Sequence, residues 1–123
     1  MFGLGGIFVE ALKDVTFRLA PMWELSAENM IRSIRGYPVL AGFRGNPPSD
    51  VEAIKDCILR LSQMVDEHPE ITELDINPLI VYPEGQGCRV ADCRIVLARP
   101  EACGSKQATN TGRAPLLSAP SLE

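Results

Sequence analysis

Residues 73–79, Glu-Leu-Asp-Ile-Asn-Pro-Leu, place two acids and an amide on alternate positions, with aliphatic residues between them. In an extended chain, successive side chains point to opposite faces. The segment therefore reads as a strand with an oxygen-bearing face (Glu73, Asp75, Asn77) and an apolar face (Leu74, Ile76). Pro78 has no N–H to give to a ladder, so an edge or a bulge is expected just after Asn77. Residues 71–82 and 87–97 read as two strands around the turn Pro83-Glu84-Gly85-Gln86. A four-residue loop there pairs Tyr82 with Gly87, Asn77 with Asp92, Ile76 with Cys93 and Asp75 with Arg94. One face of the hairpin then carries Leu74, Ile76, Ile80, Ala91, Cys93 and Ile95, a core face. The other carries Glu73, Asp75, Asn77, Asp92 and Arg94.

Facing residues in such a pair have Cβ atoms roughly 5 Å apart. A carboxylate and an amide at that distance can share a hard cation through oxygen. Magnesium takes few protein oxygens and leaves the rest of its octahedron to water and phosphate. The same face also reads as a solvated surface, with Asp75–Arg94 an ion pair worth at most about 1 kcal/mol. Spacing alone leaves both readings open.

Upstream, Ile7–Leu12 is β-prone and Val15–Ala20 alternates, so residues 7–20 read as a hairpin turning at Lys13-Asp14. Leu12 then faces Val15, and Glu10 faces Phe17 as the one acid on an apolar face: either it sits at an edge or the turn register differs, or it is buried with a role. Residues 26–35 read as a helix capped by Ser26, with Leu25 and Met30 placed as a staple; Gly36 and Pro38 end it. Residues 41–48 form a loop in which Arg44 is either solvated or within reach of an anion. The strongest helix spans 50–67. Ser49 is its expected cap, Glu52 completes a capping box, and Val51, Ile54, Ile58, Leu61 and Val65 make one apolar stripe. His68 closes it, where the helix dipole favours a positive ring, and carries no expected catalytic role. From Ala98 the chain turns to Ala, Ser, Thr, Gly and Pro without periodicity, so 98–123 is expected to be a disordered tail or linker. The element order predicts an α+β fold: an antiparallel sheet with two helices on one face.

The chain has 123 residues, enough for one compact domain, and a net charge of −4 with scattered Lys and Arg. That argues against a nucleic-acid surface but not against a nucleotide held through a metal ion. The cysteines at 57, 88, 93 and 103 form no Cys-x-x-Cys pair. They read as reduced thiols of a cytoplasmic protein rather than a zinc site or a disulfide framework. No apolar run approaches the ~20 residues of a membrane span. The opening Met-Phe-Gly-Leu-Gly-Gly enters a strand pattern at once, as the middle of a larger protein would.

Four segments together, GLGGIFVEALKDVTFRLAP (3–21), GFRGNPPSD (42–50), ELDINPL (73–79) and VADCRIVL (90–97), carry a resemblance. Over residues 1–97 the chain resembles the carboxyl-terminal half of the ATP-grasp domain of NDP-forming acyl-CoA synthetases, also called ADP-forming acetate–CoA ligases. Succinyl-CoA synthetase β chains are more distant relatives. The resemblance implies that Asn77 and Asp92 hold the Mg2+ of a bound ATP or ADP, with Asp75 ligating directly or through water. It places Glu10, Lys13 and Arg18 beside the nucleotide and assigns no catalytic residue. It also implies coupling of acyl-CoA thioester cleavage to ATP formation through an acyl phosphate and a phosphohistidine. The remaining ATP-grasp lobe and the CoA-binding domain or subunit are expected as partners, so the chain alone is expected to be inactive. Two other readings stay open: a ligand-sensing ligase-like module of a bacterial protein acetyltransferase, and a non-catalytic interaction subunit.

Overall fold

The computed structural model describes residues 1–6 and 11–98. Glu10 and the 99–123 stretch of the expected tail lie outside the described residues. Among the described residues these elements follow in chain order: β1 (Phe2–Gly3), β2 (Val15–Thr16), α1 (Glu24–Arg32), α2 (Tyr37–Leu40), α3 (Val51–Glu67), β3 (Ile71–Ile76), β4 (Leu79–Val81), β5 (Cys88–Val90) and β6 (Cys93–Leu97). The architecture is α+β. Among the described residues the strands pair antiparallel as β1–β2, β3–β6 and β4–β5, as three two-stranded sheets rather than one continuous sheet.

The core sits where α1, α2 and α3 meet. Ile31, Ile34, Leu40 and Ile54 are buried together, and Phe2, Leu4, Tyr37, Val51, Ile58 and Val81 pack on them. The α3 stripe is thus real, but only Ile54, 1% exposed, is fully sequestered. Ser62 is a buried polar exception on the same helix, and its hydroxyl oxygen accepts the Met22 N–H at 2.7 Å.

Residues 7–10 of the expected hairpin over 7–20 lie outside the described residues, and among the described ones its pairing is not seen. Val15–Thr16 pairs with Phe2–Gly3, and Ala11 and Leu12 are helical. The reason lies in Asp14, which is a buried clamp rather than a turn apex. Its carboxylate accepts the Arg35 N–H at 2.8 Å and the Gly36 N–H at 2.7 Å, just beyond the end of α1. Lys13 takes the left-handed conformation, φ 48°, that aims its neighbour inward. The chain comes so close there that a Cβ on Gly36 would overlap Leu4 Cδ1 and lie 3.2 Å from Asp14 Oδ2.

Helix starts also differ from expectation. α1 begins at Glu24 after Trp23, which supplies no side-chain cap, so Ser26 lies inside the helix. Leu25 is 70% exposed while Met30 is buried, so the expected staple is absent. After a short break, Pro38 enters the first turn of α2 instead of closing α1, a position that needs no N–H. At α3 the cap is Asp50, whose Oδ1 accepts the Ala53 N–H at 3.0 Å. Ser49 is otherwise engaged: it bridges to Pro83, and its N–H donates to the Leu40 carbonyl at 2.8 Å.

The second hairpin keeps the expected register along both of its ladders. Ile76 faces Cys93, Asp75 faces Arg94, Leu79 faces Val90 and Val81 faces Cys88. A bulge between Ile71 and Glu73 shifts only the far end. The turn closes as expected, with Tyr82 N–H donating to the Gly87 carbonyl at 3.0 Å. Its expected core face is less covered, however. Leu74 and Ile76 are half-buried, whereas Ile80, Ala91, Cys93 and Ile95 are exposed.

Candidate functional site

Between the two ladders of the second hairpin the strand pairing pauses at Asn77-Pro78 and Ala91-Asp92. Asn77 N–H still donates to the Asp92 carbonyl at 3.2 Å, and Ala91 N–H donates to the Pro78 carbonyl at 3.1 Å. Proline ends the β3 ladder because it offers no N–H, and the strand resumes at Leu79. The interruption leaves Asn77 and Asp92 opposite each other and both exposed. Asp92 Oδ1 accepts the N–H of Cys93 at 2.9 Å, which fixes the carboxylate at the start of β6. Neither the Asn77 amide nor the second Asp92 oxygen takes a hydrogen bond among the described residues.

The polar face around this pair is arranged as expected except for one partner. Arg94 lies near Glu73, at 3.7 Å, rather than pairing with the directly facing Asp75. Asp75, one pleat from Asn77, therefore makes no ion pair among the described residues. Three oxygen-bearing side chains, Asp75, Asn77 and Asp92, share one exposed face. Among the described residues, no three His, Cys, Asp or Glu side chains converge tightly enough to enclose a metal ion. The donor set fits an open, oxygen-only site in which water and phosphate complete the octahedron of a hard cation.

A residue missed in the sequence borders the pair. A Cβ built on Gly5 would lie 3.8 Å from Asn77 Oδ1, so the Gly3–Gly6 loop runs directly past the amide. The closely spaced glycines of GLGG were the available signal, because glycine is where a backbone can approach another group closely.

The remaining expected residues are not gathered at this pair. Lys13 is exposed beside the Asp14 clamp. The Arg18 guanidinium donates to the Phe17 carbonyl at 2.7 Å. It lines a separate shallow depression with Trp23, Leu25, Ser26 and Asn29. Arg44, in the left-handed region at φ 53°, stacks over the Phe43 ring at 5.2 Å. His68 contacts Glu70 at 3.1 Å at the end of α3.

Residues 1–97 match a family described as an ATP-grasp domain. The chain is 55% identical over 98 residues to the β subunit of ADP-forming acetate–CoA ligase II of Pyrococcus furiosus, covering 79% of this chain and 42% of that subunit. It is 53% identical over 97 residues to the ADP-forming 4-hydroxybutyrate–CoA ligase of Nitrosopumilus maritimus, covering 79% of this chain and 14% of that enzyme. Among solved structures it superimposes with a TM-score of 0.73 and 50% identity on the dinucleotide-forming acetyl-coenzyme A synthetase 1 of Candidatus Korarchaeum cryptofilum, in complex with coenzyme A and Mg-AMPPCP. That match covers 78% of this chain and 44% of the other. The chain thus spans less than half the length of these relatives.

Proposed function

The chain belongs to the ATP-grasp family, and from that membership we propose that it is the nucleotide- and Mg2+-binding lobe of an ADP-forming acyl-CoA synthetase. The larger enzyme would couple cleavage of an acyl-CoA thioester to formation of ATP from ADP and phosphate. The observation that carries this reading is the pairing of Asn77 with Asp92 across the interrupted hairpin. Both residues are exposed, the Asn77 N–H donates to the Asp92 carbonyl, and the Gly5 backbone passes the Asn77 amide. In this reading Asn77 and Asp92 offer oxygen to the cation and Asp75 reaches it directly or through water. Bound there, magnesium would neutralise charge on the phosphate oxygens during phosphoryl transfer. Glu10, Lys13 and Arg18 are the residues proposed on the nucleotide side. Coenzyme A would be bound by a separate domain or subunit, and the other ATP-grasp lobe would close over the nucleotide.

The test is magnesium-dependent ADP binding, measured calorimetrically in the complete ligase that contains this lobe. Asp92→Asn is expected to weaken it about tenfold or more, equivalent to about 1.4 kcal/mol. Unchanged affinity and turnover in Asp92→Asn would overturn the metal assignment and leave Asp92 a solvated strand residue.

A further inference from the structure

Two of the cysteines that the nucleotide site does not use lie in one groove. It holds about 470 Å³ between α3 and the second hairpin, and Cys57, Cys88, Arg60, Met64 and Ile76 are among its lining residues. The Cys88 thiol donates to the Ala53 carbonyl at 3.7 Å. In an α-helix that same carbonyl accepts the N–H four residues on, which is the N–H of Cys57. The Cys88 thiol therefore sits against the peptide group one helical turn before Cys57, and both cysteines line the same groove. Both are half-buried, whereas Cys93 is exposed.

We propose that Cys57 and Cys88 form a two-thiolate site for a soft cation of the Cu(I) class. Thiolates select such ions over the hard cations that carboxylate and amide oxygens prefer. A cysteine is ordinarily a protonated thiol at neutral pH. Binding accordingly displaces two protons: one cation and two thiols give a bis-thiolate complex of charge −1 and two H+, with no change of oxidation state. Arg60 lines the groove and favours the Cys57 thiolate, although its guanidinium also pairs with Asp56 at 2.8 Å. The site joins the middle of α3 to β5 and is independent of the nucleotide reading.

Ag(I), which has the charge and the two-coordinate preference of Cu(I) and is stable in air, is the probe. The reduced chain is titrated in chloride-free buffer containing excess methionine as a weak thioether competitor, and thiolate-to-silver absorbance is followed in the ultraviolet. One tight equivalent is expected, accompanied by a higher melting temperature. Cys57→Ser and Cys88→Ser are each expected to lose that equivalent, and Cys93→Ser and Cys103→Ser to keep it. The proposal fails if the unsubstituted chain binds no tight equivalent or is not stabilised. It fails equally if the tight equivalent survives Cys57→Ser or Cys88→Ser, or disappears in Cys93→Ser or Cys103→Ser. The unsubstituted chain supplies two of these readouts without any variant having to fold.

Discussion

Asp50 holds two amides that are far apart in the chain: Oδ1 accepts from Ala53 at 3.0 Å and Oδ2 from Gly87 at 2.9 Å. The Ala53 N–H, and then that of Gly87, pull its carboxyl below the ordinary 3.8. A group whose folded pKa lies below its unfolded value stabilises the fold at pH values above the unfolded pKa. That contribution is present above about pH 4 and is lost as the pH falls through the lower, folded value. The urea midpoint is therefore expected to drop between pH 5 and pH 2.5, and Asp50→Asn to flatten that part of the profile. If Asn77 and Asp92 hold one ion, as proposed, Asp92→Asn and Asn77→Ala are expected to be non-additive in magnesium-dependent ADP affinity. Simple additivity across that double-mutant cycle would mean that the two side chains serve different partners. Asp75→Asn is expected to cost less than Asp92→Asn if Asp75 acts through water. The facing of Asn77 and Asp92 was legible because alternation and one turn fix it. The clamp at Asp14 was not, since its partners lie 21 and 22 positions away and leave no local signature.

Among elements, the second hairpin followed its sequence and the first did not. In the second, turn residues flank two alternating runs, and each ladder pair repeats the register that the turn sets. In the first, Asp14 is clamped to the end of α1, Ala11 and Leu12 are helical, and β2 pairs with Phe2–Gly3. The start of α3 teaches the same lesson at shorter range. Ser49 and Asp50 are both good caps by residue type, and the bridge from Ser49 to Pro83 decides between them. Two substitutions test the packing of these elements. Ile54→Ala, at a side chain 1% exposed, is expected to lower unfolding free energy by about 2–5 kcal/mol in urea titration. Gly36→Ala must displace Leu4 or loosen Asp14, and is expected to cost about 1–3 kcal/mol by the same measurement.

For the whole molecule, apolar patterning gave the strand faces but not their cover. Ile80 is 46% exposed, Ile95 48% and Leu97 58%, because two-stranded sheets have little to pack against within these residues. Among the described residues no helix is long and apolar enough to cross a membrane. If the chain is one lobe of a larger ligase, it is expected to form no ATP from acetyl-CoA, ADP, phosphate and magnesium by itself. Sustained turnover in a luciferase-coupled assay of the isolated chain would contradict that reading. The double grip of Asp50 has a further consequence in time rather than in energy. The amides of Ala53 and Gly87 belong to a helix start and a hairpin turn, yet both donate to one carboxylate, so an opening that swings that carboxylate away frees both. Their deuterium exchange is therefore expected to follow a single opening event, with similar protection at the two sites and a joint loss of protection in Asp50→Asn.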